Sequence, residues 1–556
     1  MTRYYLITLL GWGWLMPTML LAQSDQSLLL RQANVVEVRD GTLLPNRQIL
    51  IVGDTIRAVA PPDTVLPPAT DTFDLQGRYL MPGLTDAHVH YFQSGGLYTR
   101  PDVIDLRFLR DYQQERAWLR SHAPDFWRRY LAAGITTTVD VGGPLSNYAL
   151  RAQADTTAMA PHLLVTGPLL ASYLPPELDG ADPPILQIDS PEAGRAEVRR
   201  QLPYQPDLIK IWYIVLPGQT PAAFRPIAAA IIEEAHQHGL PVAVHATQLA
   251  TARTAVTLGA DLLVHSVEDR LVDSSFVQLL LTRGVAYCPT LTVGESYEEV
   301  LANQLDLRPD DWALAQPATL GSLFDLPRIP LEQLPEWVRD LRTQPYQIPE
   351  DRPIMHANLR TLAEAGVPIL TGTDAGNIGT LHAASYFEEL AAMAQAGLNL
   401  PQMLRASTMA APRFFGQRSG RVAPGYVADL LVLDRNPLAD WRHWSPATAV
   451  VRRGVFFAPE ELLPQDAETV VMSFLNACRS GSVARIQQYL HPSVVHHRNG
   501  KQFAGRTGVG LIWQSKSLPQ GAPQLTDQGD QIRLDWGQQA WVFQVKQGTI
   551  RKIYGP

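Results

Sequence analysis

The sequence predicts an α/β chain. Its parts are a (β/α)8 TIM barrel, a small composite β-sandwich assembled from both flanks of the barrel, and a C-terminal α+β unit. Three observations carry this expectation. Between about residues 83 and 417, compact apolar strands alternate eight times with helical segments. Short period-two stretches stand before and after that region. Polar residues collect at the C-terminal ends of the predicted strands. A barrel brings such ends to one face, whereas an open doubly wound sheet strings them along a line.

The chain has 556 residues, room for roughly two to four domains. Its 46 Lys and Arg against 54 Asp and Glu give a formal net charge of −8. No basic run or patch interrupts that mildly acidic balance, so nucleic acid is not an expected partner. The two cysteines, Cys288 and Cys478, form no CxxC pair and read as buried apolar thiols.

In chain order, residues 1–22 come first. "MTRYYLITLLGWGWLMPTMLLAQS" has an early Arg, a long apolar run and small residues around Ala22, the layout of an export signal. An uncleaved anchor is the competing reading, but Gly11, Gly13 and Pro17 interrupt the run. The expected product is exported, periplasmic or extracellular, without stable membrane insertion after cleavage. Residues 23–82 carry "ANVVEVRDGTLLP", "RQILIVGDTIRAVA" and "DTFDLQGRYLMPG", read as strands joined by Asp-Gly and related turns. A similar fragment, "SGRVAPGYVADLLVLDRNP" with "ATAVVRRGVFF", returns in residues 418–462, and the two pieces are expected to complete one sandwich.

Residues 83–417 hold the barrel strands: "GLTDAHVH", "GITTTVDVGG", "HLLVTGPLL", "DLIKIWYIV", "LPVAVHAT", "DLLVHSV", "GVAYCPTL" and "VPILTGTDAG". Helices such as "PIAAAIIEEAHQHG" and "IMHANLRTLAEAG" separate them. After the seventh strand a long insertion, about 294–353, is rich in Trp, Pro and acidic residues and is expected to form a lid or substrate wall. Residues 466–556 open with a helical pattern, "DAETVVMSFLNACRSGSVARIQQYL", and close with the alternating "QIRLDWGQQAWVFQVKQGTIRKIYG". The histidines there, His491, His496 and His497, are expected at the surface.

The chemistry concentrates in six residues. His88 and His90 end the first barrel strand one residue apart, so both imidazoles share a face, as a metal ion requires. Alone, that pair is a weak signal. His245 and His265 sit near the ends of the fifth and sixth strands. Either one alone reads as a satisfied core histidine, but two on successive strands point to ligation. Lys210 lies within an otherwise buried strand, where a bare ammonium is costly unless paired or deprotonated. A salt bridge is one resolution; reaction with carbon dioxide to give an anionic carbamate that bridges two metals is the other. Asp374 closes the eighth strand. A carboxylate there can bind metal and accept a proton from a water whose pKa the metal lowers to about 7. Helix N-capping is the other role open to it, but the following helix does not start for several residues.

Read together, "PGLTDAHVH", "GITTTVDVGG", "IKIW", "VAVHAT", "GADLLVHSVED", "GTDAGN", "TLHAAS", "LRASTMAAPRFFG" and "GRVAPGYVADLLVLDRNPL" resemble the amidohydrolase superfamily. The likeness is to the metal-dependent branch related to imidazolonepropionase and to prolidase-like dipeptidases, and it runs from about Ala33 to Phe457. It implies His88, His90 and Asp374 on one divalent ion, His245 and His265 on a second, and carbamylated Lys210 bridging them, with zinc the expected metal. It implies Asp374 as general base and places His382 near the site, a plain surface histidine being the other reading. Tyr213, just after the lysine strand, is a candidate to hydrogen-bond a substrate carbonyl oxygen, although alternation sets it on the face opposite Lys210 if the strand continues. "IWYIVLPGQT" departs from the glycine-rich stretch that some relatives have after the lysine. The C-terminal unit resembles the SnoaL-like, nuclear-transport-factor-2-like cone.

The implied function is hydrolysis of an amide or peptide-like C–N bond of a small molecule or dipeptide, in the manner of a dipeptidase or prolidase. Hydrolysis or deamination of a cyclic amide, lactam or ester is the alternative within enzymes, and a non-catalytic exported binding protein the alternative outside them. Oligomeric state is left open.

Overall fold

The computed structural model describes residues 26–556 apart from 217, 219, 344–350, 464, 515, 517, 520–522 and 529–530. The segment read as an export signal, 1–22, lies outside the described residues. Among those described, no helix is long and apolar enough to cross a membrane.

The two flanks of the chain meet in one eight-stranded mixed sheet. Its seam is Leu430–Leu433, which runs antiparallel to Tyr79–Pro82 and so joins residues about 350 positions apart. Tyr79–Pro82 pairs in turn with Ser27–Glu37, which pairs with Thr42–Val52. Leu30, Val35, Ile49, Ile51, Leu430, Val432 and Val451 pack into one apolar cluster. Its members come from both flanks, so neither flank buries its apolar face alone.

The central region is α/β with parallel strands throughout. Leu84–Val89, Ile135–Asp140 and His162–Val165 form a three-stranded sheet. Ile185–Gln187, Leu169–Ala171, Ile209–Trp212, Val242–His245, Leu262–Val264 and Ala286–Cys288 form a six-stranded one in that order. Strands such as Leu84–Val89 are buried on both faces, as parallel strands covered by helices must be. One expected strand, "HLLVTGPLL", is two: Gly167 takes φ +75° and the chain turns between Val165 and Leu169.

The expected eighth strand also differs from a regular strand. Residues 368–375 make isolated bridges only, Ile369 with Tyr287 and Ala375 with Val89. They nevertheless hydrogen-bond on both sides. Tyr287 N–H donates to Pro368 O at 2.8 Å and Leu370 N–H to Tyr287 O at 2.9 Å. On the other side Ala87 N–H donates to Thr371 O at 2.8 Å, Asp374 N–H to His88 O at 2.7 Å and His90 N–H to Ala375 O at 2.8 Å. The pleat breaks because Asp374 itself sits in the left-handed region, φ +62°.

The insertion after Cys288 is largely helical, including Thr292–Leu301, Pro317–Leu323 and Glu336–Thr343. The C-terminal unit packs helices Ala467–Arg479 and Arg506–Gln514 on a six-stranded sheet, around Phe474, Trp513, Trp536, Trp541 and Phe543. His496 is not at the surface: it is fully buried, its ring 5.8 Å from that of Trp513. Leu490, Val494 and His496 fall on the same inward face of one strand, and period two carries the histidine into the core with them. Cys288 and Cys478 are both buried and unbonded.

The C-terminal unit docks on the insertion through buried polar contacts. Asn476 Nδ2 donates to Pro317 O at 2.7 Å, and Arg479 meets Gly321 O and, at 3.2 Å, the Asp325 carboxylate. The Arg479 and Asp325 side chains are only 2% and 5% exposed. Breaking a buried pair by removing one partner costs about 3–5 kcal/mol, because the remaining charge is left desolvated. Arg479→Met is therefore expected to lower the denaturant midpoint strongly. The double variant Arg479→Met with Asp325→Leu should recover much of that loss in the same unfolding measurement.

Candidate metal centre

His88 and His90 face one point, as their spacing requires: their Nε2 atoms lie 3.3 Å apart. The Asp374 Oδ1 is 3.0 Å from His90 Nε2 and 3.4 Å from His88 Nε2. His90 Nδ1 is 2.7 Å from Gly142 O, which can only accept, so Nδ1 carries a proton and Nε2 is the ring nitrogen turned toward His88 and Asp374. One possible ligand atom from each of His88, His90 and Asp374 thus lies within 4.8 Å of the others in a buried place. Two imidazoles with a carboxylate form a donor set that divalent metals accept. The residues present fit a metal ion.

Two further histidines adjoin this cluster. The His265 ring is 4.8 Å from that of His88 and 4.5 Å from that of His245, centroid to centroid. His265 Nδ1 contacts Thr290 Oγ1 at 2.8 Å and lies 3.8 Å from Asp374 Oδ2. Burial, and after it the charge of Lys210, pushes the proton affinity of His245 down to about 3. Burial acts first on His88 and His265 too, and both are held well below the ordinary range. All three are neutral imidazoles at physiological pH, the form that ligates.

Lys210 sits on Ile209–Trp212, 1% exposed, and its Nζ has no hydrogen-bond partner among the described residues. Burial lowers its pKa to about 7, against the opposing pull of Asp374. The salt-bridge reading has no close carboxylate partner for Nζ among the described residues, and the amine is left facing the cavity.

The backbone is strained at this floor. Asp374, His265 and Thr290 take φ of +62°, +71° and +46°, conformations that L side chains rarely adopt. Such residues cost of order 1–3 kcal/mol each and persist where surrounding structure over-determines them. Asp86 supplies part of that constraint. Its carboxylate accepts Thr373 N–H at 3.0 Å and Thr373 Oγ1–H at 2.8 Å, tying the segment before Asp374 to the strand that carries the histidines. Sequence reading passed over Asp86. Period two, which aligns 86, 88 and 90 on one strand, was the signal for it.

Above the floor opens a cavity of about 610 Å³. His90, Lys210, His245, His265 and Asp374 all line it. Its walls are mostly apolar, with Phe92, Leu169 and Trp212 from the central region and Trp337, Leu341 and Met355 from the insertion and the helix after it. The insertion is thus a wall of this cavity. Arg100, Tyr297 and Asn377, also unremarked in the sequence, line it as well.

The remaining two predicted residues lie elsewhere. Tyr213 points away from the cavity, its hydroxyl donating to Pro221 O and its ring packing on Phe224. Trp212, one residue earlier, takes the inward side, as strand alternation from Lys210 requires. His382 is 2% exposed and does not line the cavity. Its Nε2–H donates to Gln93 O at 2.8 Å, and its Nδ1 accepts from Tyr130 Oη at 2.8 Å. Its ring stacks on Tyr91 at 5.4 Å. It braces the backbone of Gln93, which does line the cavity.

Burial holds His382 at a pKa of about 4, well under its ordinary value of about 6.5. The folded form therefore binds fewer protons than the unfolded chain. The associated stability is complete above pH 6.5 and is lost as pH falls toward 4. Between pH 7 and pH 4.5 the loss amounts to about 2–3 kcal/mol. His382→Asn should flatten the pH dependence of the unfolding free energy by that much in parallel denaturant titrations. An unchanged slope would show that this histidine does not titrate on unfolding.

Comparison with known proteins bears on the fold. Similar solved structures include a Xaa-Pro dipeptidase with bound methionine in its active site, 21% identical, covering 78% of this chain and 100% of its own, TM-score 0.59. A prolidase complexed with N-methylphosphonate-L-proline is 22% identical, covering 78% and 100%, TM-score 0.59. Ochratoxinase from A. niger is 21% identical, covering 78% and 96%, TM-score 0.56. At these identities the likeness is one of fold. No curated protein matches the chain. The amidohydrolase family model matches residues 79–456, more than half the length and all six of the residues discussed above, and the chain belongs to the amidohydrolase family.

Proposed function

We propose that this amidohydrolase is an exported, metal-dependent enzyme of dipeptidase or prolidase type that cleaves an amide or peptide-like C–N bond. The observation that carries the reading is the floor of the cavity. There the Nε2 atoms of His88 and His90 and the Asp374 carboxylate converge, with His245, His265 and a Lys210 that has no hydrogen-bond partner among the described residues beside them. The likeness in fold to a Xaa-Pro dipeptidase and to a prolidase supports the substrate class. The hydrogen bonds from residues 368–375 to both parallel sheets, with Asp207 N–H donating to Val165 O at 3.0 Å on the far side, support a closed (β/α)8 barrel as the scaffold. Its limits are read as 83–417, with the sandwich from 23–82 and 418–462, and a SnoaL-like unit in 466–556.

In this reading His88, His90 and Asp374 would hold one divalent ion, zinc by preference, and His245 and His265 a second. Bound divalent ions supply Lewis acidity toward the substrate carbonyl and lower the pKa of water to about 7. The buried Lys210 amine, without a hydrogen-bond partner among the described residues, would add to carbon dioxide with loss of a proton, and the resulting carbamate would serve as a further anionic ligand for the ions. Asp374 receives the proton of the attacking water on its carboxylate. As the C–N bond breaks, it passes that proton to the departing amine, so that water is divided between the acid and amine products. Phe92, Trp212 and Trp337 cover the apolar part of the substrate and exclude bulk water.

The test is metal content per chain on purified protein, for wild type and Lys210→Ala, beside hydrolysis of a dipeptide panel. About two ions per chain are expected in wild type. In the variant, loss of metal and a drop of roughly 100-fold or more in turnover are expected. A variant that keeps both would exclude the bridged centre.

A further inference from the structure

Asn377 stands three residues after Asp374 and is 3% exposed. Its side-chain Nδ2–H donates to the Asp374 carbonyl oxygen at 3.0 Å. Its Oδ1 accepts two bonds, one from Tyr297 Oη at 2.7 Å and one from Arg100 Nη1. Two donors on one end of the amide settle which end is oxygen, so the NH2 end must face Asp374. The donors are themselves held. Arg100 grips the Asp102 carboxylate with Nε at 2.8 Å and Nη2 at 2.6 Å, and its Nη1 also reaches Tyr297 Oη at 3.1 Å. With those contacts made, most of the guanidinium's donors are spent within the protein, which marks Arg100 as a brace.

The feature being braced is unusual. Asp374 has φ +62°, and the chain must turn at once to place its carboxylate beside His90. A carbonyl in such a turn lies outside any regular ladder and needs a donor. Asn377 supplies it, and Tyr297 lies on Thr292–Leu301, the first helix of the insertion. The position of the Asp374 backbone is therefore coupled to the packing of the wall that covers the substrate.

We propose that Asn377 is a positioning residue for Asp374, its amide oriented by Arg100 and Tyr297. The proposal rests on the reading of Asp374 as ligand and proton carrier. Asn377→Asp tests it, because the new carboxylate still accepts from Arg100 and Tyr297 but offers the Asp374 carbonyl no donor. The expected result is a fall in kcat of roughly 10–100-fold with KM changed little, and metal affinity, read by chelator competition without substrate, weakened by about 10-fold or more. Tyr297→Phe, which removes one hydroxyl and keeps the ring, should show the same two changes in smaller measure; it carries the test should Asn377→Asp not fold.

Wild-type kcat and metal affinity in the variant that folds would overturn the positioning role. Asp374→Asn, assayed alongside, separates the two readings. If it loses turnover while Asn377→Asp does not, only the positioning role fails. If Asp374→Asn itself turns over normally, the proposed chemistry fails and the positioning role falls with it.

Discussion

Residues 368–375 are the constraint on which the site depends. This short segment hydrogen-bonds to Tyr287 on one side and to residues 87–90 on the other, so it joins the six-stranded and three-stranded parallel sheets. It is also the segment that carries Asp374. The connection between the sheets and the placement of the carboxylate are thus one event in folding. Backbone groups buried between two sheets must find partners, and that requirement fixes the segment more firmly than its own strand propensity does. Where the backbone satisfies both neighbours it runs extended. Where it must also present Asp374 to His88 and His90, it gives up the pleat.

The local chemistry shows how that deviation is tolerated. Gly376 takes φ +113°, and a Cβ there would lie 2.6 Å from His90 O, so the turn after Asp374 admits only glycine without displacing the histidine strand. Thr373 is tied to Asp86 before the turn, and Asn377 closes it after. Strain at one residue is held in place by bonds on each side of it. That is the condition under which a rarely populated conformation persists in a folded protein.

The insertion and the C-terminal unit extend the same logic outward. Asp325, on the insertion, takes Arg479 from the C-terminal unit and Tyr98 Oη, at 3.0 Å, from the loop that follows the histidine strand. Leu97 N–H in that loop donates to Ser322 Oγ at 3.0 Å. A line of buried polar contacts therefore runs from the C-terminal helix Ala467–Arg479 to the residues beside the cavity. Polar groups buried between units must be paired, and pairing gives these units a definite seating that apolar contact alone would leave loose.

The sequence by itself determined the α/β class, the amidohydrolase resemblance and the residue types of the metal centre. Period two on a strand aligns His88 with His90, and a lysine inside an apolar run must be resolved chemically; both are local facts. It did not reveal His382 sealed between Gln93 and Tyr130, or His496 within the C-terminal core, because which face of an element is covered depends on partners remote in sequence. Nor did Arg100, Tyr297 and Asn377 show any spacing that marked them. They meet at one amide only because an insertion helix, a loop after the first strand and the turn after Asp374 are brought together by packing. Tertiary structure decided those contacts, since hydrogen bonds between segments some 80 to 280 residues apart leave no periodic trace in the chain.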